Sequence, residues 1–346
     1  MRSTHLHINS STHSHILITG GCGFIGVNLT RYLLKKGNYE ITILDNFSVG
    51  KRDCLEEAIA GLPNKHYVKI VKGDIRDKTI CEKACKGADA IVHLAAQAGV
   101  IPSIENPYYD FEVNILGTLN LLYMAVKNKV EKFIFASSNA PLGEQAPPVT
   151  EKKVPRPLSP YGASKLACEA YCSAFYGSYG LKTVIFRFSN VYGPYCLHKN
   201  SVVAKFIKDG ILKGELTIYG NGHQTRDFIH VDDICQAIYS LFTAHSLLLT
   251  NNVWGTPFHL GTGKETTILK LAEMVKSLFD KEIKISFAPK RKGEIRRNYS
   301  DISKAQKLIG FKPDVSLAEG VTQVYNWFIK KGVEEIKNAN VLSGSD

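Results

Sequence analysis

Two groups of residues, far apart in the chain, have the types and spacing needed for redox chemistry on a hydroxyl group. The first is a glycine-rich segment after an apolar run, with Gly20, Gly23 and Gly26 at its turn. The second is Tyr161 with Lys165, one turn apart on a predicted helix. A lysine ammonium favours the phenolate and a nearby oxidised nicotinamide would add positive charge, so we expect a tyrosine pKa below the usual ~10 and a tyrosine that acts as general base. Together they predict a nicotinamide cofactor and a base that can use it.

The Tyr-x-x-x-Lys spacing is a weak signal by itself, because the chain contains it four times. The pairs are Tyr32 with Lys36, Tyr123 with Lys127, Tyr161 with Lys165, and Tyr195 with Lys199. The first two lie in helical patterns where tyrosine packs, and the fourth lies in a loop. Tyr161 opens a helix after a long loop with six prolines. Upstream, Ser137 and Ser138 end a predicted strand, where they either hydrogen-bond the reacting hydroxyl or only cap the strand.

The elements that must position these residues follow from the hydrophobic periodicity. Strands are predicted at 16–19, 41–44, 67–71, 90–94, 132–136 and 183–188, and the clearest helices at 24–36, 111–127 and 161–176. This alternation predicts an α/β fold with a doubly wound parallel sheet. Beyond residue 191 the rhythm changes, with a short strand at 216–219 and helices near 232–243 and 268–278, which indicates a smaller substrate-side domain.

Four segments are therefore expected along the chain. Residues 1–14 form a His- and Ser-rich flexible leader, and residues 15–190 form the cofactor-binding domain with the catalytic residues. Residues 191–335 form a smaller α/β substrate-binding domain, with the chain able to cross between the two, and residues 336–346 form a flexible tail.

The order strand, glycine turn, helix predicts a dinucleotide site. Glycines let the turn tighten, let the backbone approach a pyrophosphate and let the helix pack on the strand, and the helix N-terminus faces the anion. Asp45 ends the second strand about 20 residues further on, where an acid holds a ribose 2′-hydroxyl, and this favours NAD over NADP. The alternative interpretation is that the glycines form an ordinary tight turn and that Asp45 is a solvated residue at the end of a strand.

The bulk composition of the 346 residues excludes several classes of protein. The net charge of +11 suits an anionic partner. The lysines are spread along the chain, and the basic runs lack interleaved aromatic residues. A solvated basic surface is therefore favoured over a surface that binds nucleic acid. No apolar run reaches the ~20 residues of a membrane helix, and residues 1–15 lack the apolar core of a secretory signal. A cytoplasmic protein is expected.

The cysteines and histidines do not predict a metal site. Eight cysteines are scattered without zinc-type spacing and are interpreted as reduced, mostly buried thiols. The histidines of the leader could bind a stray ion, although a polar leader is more often a mobile tail. They are His5, His7, His13 and His15.

Further segments occur in order along the chain: Asp74-Ile75, residues 93–97, Asn114 with Gly117, residues 190–194 and residues 226–233. With the glycine turn and Tyr161, they make the chain resemble the extended short-chain dehydrogenase/reductase family, and within it the nucleotide-sugar epimerases and dehydratases. The resemblance covers nearly the whole chain after the leader. It implies a Rossmann-type fold, tightly bound NAD and a nucleotide-sugar substrate.

The resemblance also implies roles for individual residues. Toward the cofactor it places Gly20, Gly23, Phe24, Ile25, Gly26, Asp45, Asn46, Asp74, Ile75, Leu94, Ala95, Ala96, Gln97, Asn114, Tyr161 and Lys165. Toward the substrate it places Ser137, Ser138, Asn139, Asn190, Val203, Tyr219, Arg226, Arg291, Glu294 and Asn298. Ser138, Tyr161 and Lys165 are the implied catalytic set. Helices 111–127 and 161–176 are implied to form a four-helix homodimer interface.

The residues after Ser138 narrow the implied reaction. The family's 4,6-dehydratases carry Asp-Glu there, because elimination of water needs an acid and a base, and its decarboxylases keep a glutamate at the second position. This chain has Asn139 and Ala140. A nucleotide-sugar 4-epimerase remains, acting by reversible oxidation at C4, with UDP favoured by resemblance. The alternatives are a 4-keto-sugar reductase or dehydrogenase of the same family and, remotely, a non-catalytic nucleotide- or RNA-binding member.

The sequence does not determine whether the sugar is a hexose, an N-acetylhexosamine or a uronate. It also does not determine the pathway that the protein serves. Leu142 and Ile101 stand where the family commonly has tyrosine and arginine, and both are expected to line the sugar pocket. Asn298 aligns with a gatekeeper position, where a small residue admits a 2-acetamido group. Residues 97–100 resemble the uronate epimerases instead.

Overall fold

A seven-stranded parallel sheet forms the centre of the structure, in the order β11-β6-β5-β4-β1-β2-β3. The structure is a computed structural model that describes residues 14–37, 39–243, 252–290 and 295–342. The strands are β1 (Ser14–Thr19), β2 (Tyr39–Asp45), β3 (Val68–Lys72), β4 (Ala90–His93), β5 (Lys132–Ser138), β6 (Lys182–Phe188), β7 (Asn190–Tyr192), β8 (Glu215–Tyr219), β9 (Thr225–Arg226), β10 (Phe228–His230), β11 (Pro257–Leu260), β12 (Thr266–Thr267) and β13 (Lys284–Ala288).

Helices cover the sheet and connect its strands. They are α1 (Phe24–Lys36), α2 (Arg52–Ile59), α3 (Lys78–Cys85), α4 (Val100–Glu105), α5 (Pro107–Asp110), α6 (Gly117–Lys127), α7 (Pro160–Tyr179), α8 (Val202–Lys213), α9 (Val231–Ser240), α10 (Ile268–Lys276), α11 (Ser303–Ile309) and α12 (Leu317–Leu342). The predicted α/β class with a doubly wound parallel sheet is confirmed. The six predicted strands and the predicted helix 24–36 are present, with ends shifted by at most two residues.

Successive residues of β1 point to opposite faces of the sheet and enter different cores. Ile16 and Ile18 join the larger apolar cluster, whereas Leu17 joins a second cluster on the other face. Because both faces are covered by helices, these strands are apolar throughout. The larger cluster also contains Ile229 and Phe328 from the second half of the chain, so one core joins the two predicted domains.

The second half of the chain also contributes to the large sheet. Strand β11 pairs in parallel with β6 at the edge, with Phe258 opposite Phe186, and α9 packs on α1. We did not predict this strand, because it has only four residues and begins with proline. The smaller unit contains three two-stranded pairs, β7 with β10, β9 with β12 and β8 with β13. The domain boundary at residue 190 stays a prediction.

The helix predicted over 111–127 has a different form. It begins at α5, where the Asn106 side chain accepts a hydrogen bond from Tyr109 N. It then continues through a π-helical segment, Phe111–Leu116, into α6. Such single-turn widenings often mark functional positions, and this one contains Asn114.

The two predicted flexible ends differ from the structure where it describes them. Residues 1–13 lie outside the described residues, and Ser14 already belongs to β1. The tail predicted from residue 336 is wrong through residue 342, because α12 continues to Leu342 beyond a kink at Gly332. Ile336 is fully buried in the larger apolar cluster. In the described part of the chain, no helix is long and apolar enough to cross a membrane.

Candidate active site

Two clefts open where β1, β4, β5 and β6 end. The glycine cleft, of about 490 Å³, is lined by the glycine turn, residues 94–98 and Lys165. The basic cleft, of about 590 Å³, is lined by Ser138, Asn190, Arg226 and their neighbours. Both clefts are lined by Ile25, Ser137, Tyr161, Phe188 and Lys199. Because parallel strands end at one edge of a sheet, residues distant in sequence meet here, and Tyr161 stands at the junction of the clefts.

The glycine turn requires glycine for geometric reasons. Gly20 has a φ of +68°, and a Cβ there would lie 2.7 Å from the backbone nitrogen of Ala95. A Cβ on Gly26 would lie 2.5 Å from the carbonyl oxygen of Gly20. Gly23 precedes α1 without a side-chain cap, so the first N–H groups of α1 are left to bind an anion in the cleft.

Asp45 stands at the far end of the glycine cleft. Its carboxylate accepts hydrogen bonds from Cys22 N at 2.9 Å and from Phe47 N at 2.8 Å. Burial raises the pKa of Asp45, and these two backbone hydrogen bonds oppose the rise. The carboxylate keeps lone pairs for a hydroxyl donor and would repel a phosphate, which fits a ribose with a free 2′-hydroxyl.

A small recess of about 40 Å³ extends this end of the cleft and is lined by Asn46, Asp74 and Ile75. Arg76 donates to both carboxylate oxygens of Asp74 at 3.0 Å, and Asn46 Nδ2 donates at 2.9 Å. Burial would raise the pKa of Asp74, but these hydrogen bonds lower it to about 2. The recess therefore has a fixed anionic wall.

Most of the predicted cofactor residues come together in the glycine cleft and its recess. Those lining them are Gly20, Gly23, Phe24, Ile25, Gly26, Asp45, Asn46, Asp74, Ile75, Leu94, Ala95, Ala96, Gln97, Tyr161 and Lys165. Asn114 does not line either space. Its amide bonds the backbone of Gln97, accepting from N at 2.9 Å and donating to O at 3.1 Å, so Asn114 positions the wall. The residues present fit a dinucleotide.

Helix α7 places Tyr161 and Lys165 beside the end of β5. The Ser159 side chain caps α7 by accepting a hydrogen bond from Gly162 N at 3.1 Å. The Ser138 side chain lies beside the Tyr161 hydroxyl, where its hydrogen-bonding effect lowers the pKa of the phenol. Lys165 Nζ donates to the carbonyl oxygen of Ala136 at 2.9 Å and lies 6.0 Å from the centre of the Tyr161 ring. The Ser138 hydroxyl, the Tyr161 phenol and the Lys165 ammonium therefore lie near one another at the end of β5.

In the protein chain by itself, without the positive charge of a nicotinamide, the pKa of Tyr161 is high. Burial raises the pKa of Tyr161 to about 12, which outweighs the lowering by the Ser138 hydrogen bond, and the charges of Asp110 and Cys168 raise it further. Burial also lowers the pKa of Lys165. Removing water from the phenol thus disfavours the phenolate more than the surrounding groups stabilise it.

The described wall of the basic cleft carries three cationic side chains, Lys199, Lys205 and Arg226, and no acidic one. Arg226 is held in place because its Nη1 donates to Thr225 O at 2.7 Å and to Ile295 O at 2.9 Å. A cleft lined by one sign of charge attracts ligands of the opposite sign. This cleft therefore suits an anion such as a diphosphate.

The predicted substrate residues are only partly brought together. Those lining the basic cleft are Ser137, Ser138, Asn190, Val203, Tyr219 and Arg226. The Ser137 hydroxyl itself donates to Glu169 Oε1 at 2.5 Å, away from the cleft. Asn298 is half-buried and does not line it. Arg291 and Glu294 lie outside the described residues.

Three other positions near the predicted sugar pocket differ from expectation. Asn139 does not line the basic cleft, since its amide bonds Ser300 Oγ at 3.1 Å and His259 Nδ1 at 3.0 Å. Leu142 is buried and Ile101 is 67% exposed, and neither lines a cleft. The expectation that Leu142 and Ile101 line the sugar pocket is therefore wrong.

Sequence reasoning missed two lysines of the basic cleft. Lys199 is the lysine of the fourth Tyr-x-x-x-Lys pair, which we assigned only to a loop, and Lys205 lies on α8. The available signal was their position shortly after residues 190–194, which already pointed to the substrate side. In the described residues, no cluster of three or more His, Cys, Asp or Glu side chains could hold a metal ion.

Comparisons with known proteins give one consistent result. The model of the NAD dependent epimerase/dehydratase family matches residues 16–254. The UDP-glucose 4-epimerase of Thermotoga maritima, solved with UDP-glucose, is 34% identical with a TM-score of 0.81, covering 92% of this chain and 99% of that one. The UDP-N-acetylglucosamine 4-epimerase of Methanobrevibacter ruminantium, solved with UDP-N-acetylmuramic acid, is 34% identical with a TM-score of 0.83, covering 93% and 100%.

A third solved structure contains the cofactor. The UDP-glucuronic acid 4-epimerase of Bacillus cereus, in complex with UDP-glucuronic acid and NAD, is 30% identical with a TM-score of 0.82, covering 92% of this chain and 100% of that one. A dTDP-glucose 4,6-dehydratase and UDP-glucuronic acid decarboxylases also match. The family match over most of the chain, together with the glycine cleft and the Ser138–Tyr161–Lys165 group, shows that the chain belongs to the NAD-dependent epimerase/dehydratase family.

Proposed function

We propose that this protein is an NAD-dependent nucleotide-sugar 4-epimerase, which inverts C4 of a UDP-hexose, UDP-N-acetylhexosamine or UDP-uronate through a transient 4-keto sugar. One observation carries the proposal. Tyr161 lines both clefts, and Ser138 lines the basic cleft beside it. A single phenol can therefore contact a sugar hydroxyl in one cleft while it lies beside a dinucleotide in the other.

The chain's own groups supply the proton chemistry. Ser138 Oγ accepts a hydrogen bond from Ala140 N at 3.1 Å, so its one hydroxyl hydrogen can be donated to Tyr161 or, when a substrate is bound, to the sugar oxygen. Tyr161 removes the proton of the C4 hydroxyl and returns it, and the Lys165 ammonium stabilises the phenolate. When bound in the glycine cleft, NAD would supply hydride transfer at C4, and the positive charge of its nicotinamide would lower the pKa of Tyr161.

The basic cleft supports epimerisation over elimination. Dehydration needs an acid and a base beside the sugar, yet the described wall of this cleft has no acidic side chain. Asn139 is held by His259 and Ser300, and Ala140 has no functional group. Arg226 and Lys205 in the wall of this cleft are suited to hold the diphosphate while the 4-keto sugar turns its other face.

The experiment is an assay of the purified protein without added cofactor. UDP-glucose, UDP-N-acetylglucosamine and UDP-glucuronate are each incubated with it and followed by proton NMR. We expect the galacto-configured product from at least one of them, with no net consumption of NAD. No change in any of them, together with stoichiometric loss of reduced cofactor on a 4-keto sugar nucleotide, would establish a reductase.

The matched variants are Tyr161→Phe and Tyr32→Phe. Each removes one hydroxyl from a Tyr-x-x-x-Lys pair, but Tyr32 lies on α1, away from both clefts. Tyr161→Phe should lower kcat at least about 100-fold because the general base is lost. It should leave the NAD content of the purified protein unchanged, and Tyr32→Phe should change neither. Unchanged kcat in Tyr161→Phe would refute the catalytic assignment.

We further propose a homodimer through α6 and α7, with the segment before α6. This surface leaves large apolar side chains exposed, with Phe111 at 53%, Tyr123 at 55% and Tyr171 at 38%. Exposed apolar area of this kind is suited to association. Tyr123→Glu should shift the protein from dimer to monomer in sedimentation velocity. Val333→Glu, an exposed apolar position on α12, should remain dimeric, and a dimeric Tyr123→Glu variant would contradict this interface.

A further inference from the structure

The loop between β7 and α8 carries a lysine that the proposed mechanism does not use. Lys199 lines both clefts, and its Nζ lies 4.4 Å from the centre of the Phe24 ring. Phe24 is the first residue of α1. The ammonium is therefore held beside the N-terminal turn of α1, at the junction of the glycine cleft and the basic cleft.

Lys199 has no protein anion to neutralise it. Among the described residues, no hydrogen bond or ion pair reaches its side chain, and burial lowers its pKa. The adjacent His198 also lines the glycine cleft. Burial, with the charges of nearby lysines, lowers the pKa of His198 to about 4, so His198 is neutral at pH 7. The charge that this loop offers to the cleft is that of Lys199.

The loop is fixed before any ligand arrives. Lys208, which is almost fully buried on α8, donates from Nζ to Asn200 Oδ1 at 2.9 Å. At the other end of the loop, Asn28 Nδ2 on α1 donates to Pro194 O at 2.9 Å. Lys199 N donates to Cys196 O at 2.9 Å. Because the backbone is anchored on both sides, little conformational entropy is lost when Lys199 binds an anion.

Two features at the junction of the glycine cleft and the basic cleft favour an anion beside the N-terminal turn of α1. The N-terminal turn of α1 is uncapped by a side chain and favours an anion in the glycine cleft. Lys199 lines the same cleft and lies beside the ring of Phe24, the first residue of that turn. In the basic cleft, by contrast, Arg226 and Lys205 already provide positive charge. An anion at the α1 turn would thus meet both the free N–H groups of α1 and the Lys199 ammonium.

We propose that Lys199 binds the diphosphate of the dinucleotide cofactor, so that the loop before α8 acts as a clamp that retains NAD during turnover. The inference rests on the proposed function for the identity of the ligand. It assigns Lys199 to cofactor retention, separate from the proton transfer at Tyr161. The diphosphate of the nucleotide sugar is the other anion that Lys199 could bind. The test distinguishes binding of the cofactor diphosphate from binding of the substrate diphosphate.

The test compares Lys199→Met with Lys205→Met, since both replace a lysine of the basic cleft and only Lys199 also lines the glycine cleft. After removal of bound cofactor, calorimetry measures the affinities for NAD, ADP-ribose, adenosine and UDP. Lys199→Met should weaken NAD and ADP-ribose about 10-fold or more, as expected for a charge-assisted hydrogen bond. Adenosine and UDP should be unaffected, and Lys205→Met should keep the affinity for NAD.

Lys199→Arg, which keeps the charge, should keep most of the affinity for NAD, and Lys199→Gln serves if the methionine variant does not fold. Equal affinities for NAD and ADP-ribose in wild type and Lys199 variants would overturn the inference alone. A loss confined to UDP would also overturn it and make the substrate diphosphate the ligand. Failure of the wild-type protein to bind NAD would overturn the proposed function as well.

Discussion

At the scale of the residue, opposing effects act on the Tyr161 hydroxyl. Burial raises its pKa to about 12, and the hydrogen bond from Ser138 lowers it. A phenol with this pKa is protonated at neutral pH and is a poor base until positive charge is brought near it. Two positive charges are available in the proposed complex, the Lys165 ammonium and the oxidised nicotinamide.

Lys165→Met should therefore shift the pH dependence of kcat. The Lys165 ammonium is 6.0 Å from the Tyr161 ring, and its loss should raise the apparent pKa of Tyr161 in the complex by at least about one unit. Activity requires the deprotonated phenol, so the acidic limb of the kcat profile should move to higher pH. The measurement is kcat between pH 6 and 10 at saturating substrate and NAD.

The control for this shift is Lys182→Met. Lys182 is an exposed lysine paired with Glu131, and it lines neither cleft. Its profile should overlay that of the wild type. An acidic limb at the same pH in Lys165→Met and wild type would mean that Lys165 does not stabilise the phenolate.

Residue types and spacing were enough to predict the catalytic group, but not its protonation. Tyr161, Lys165 and Ser138 could be predicted because a helical repeat and a strand end determine which side chains can meet. The pKa of Tyr161 could not, because its burial depends on packing by residues far apart in sequence. Ser137 illustrates the same limit, since its hydroxyl is bound by Glu169 on α7.

At the scale of the element, a buried ion pair fastens α7 to the central sheet. Arg187 on β6 donates from Nε and Nη2 to the two carboxylate oxygens of Glu169 at 2.9 and 2.6 Å. Ser137 on β5 donates to the same carboxylate. Since α7 carries Tyr161 and Lys165, this cluster sets the position of the catalytic helix against the strand that ends in Ser138.

Arg187→Leu should destabilise the fold strongly, because it leaves the buried Glu169 carboxylate without its counter-charge. The expected loss in the free energy of unfolding is about 3–5 kcal/mol, measured by urea denaturation. The double variant Glu169→Gln with Arg187→Leu should recover a large part of it, because no isolated charge remains buried.

The matched control is Arg52→Leu, which breaks the exposed pair with Glu56 and should leave the midpoint of urea denaturation almost unchanged, because solvent screens exposed ion pairs. Equal losses in the single and double Arg187 variants would show that packing, and not the uncompensated charge, is what the mutation removes.

The regular elements were predictable and the irregular ones were not. Helix α1 matches its predicted bounds because apolar residues recur at helical spacing up to Gly37. The π-helical segment at Phe111–Leu116 could not be foreseen, since it is supported by tertiary hydrogen bonds of Asn114 to Gln97 and Ser164. Strand β11 likewise exists because β6 offers it an edge.

At the scale of the whole molecule, the two predicted domains are continuous in their packing. Helix α9 lies on α1, and one apolar cluster includes side chains from both halves of the chain. Asp233 on α9 ties the chain before α12 to this contact by accepting hydrogen bonds from Asp314 N at 2.9 Å and Val315 N at 3.3 Å. We therefore expect the ionisation of the Asp233 carboxyl to affect the stability of the whole fold.

Burial raises the pKa of Asp233 from 3.8 to about 6, with the charges of Asp314 and Asp232 raising it further while the two backbone hydrogen bonds oppose the rise. Because the pKa is higher in the folded state, the proton on Asp233 stabilises the fold fully below about pH 4. That stabilisation is lost as the pH rises through about 6, and it amounts to at most about 3 kcal/mol.

Asp233→Asn should remove the loss of stability that ionisation of Asp233 causes, because asparagine does not ionise. Its carbonyl oxygen can still accept both backbone hydrogen bonds. The free energy of unfolding of the variant, minus that of the wild type, should rise by about 2–3 kcal/mol between pH 4 and pH 7. Urea denaturation at several pH values measures it. A flat difference for Asp233→Asn would mean that the carboxyl ionises normally, and that the contact between the two halves tolerates its charge.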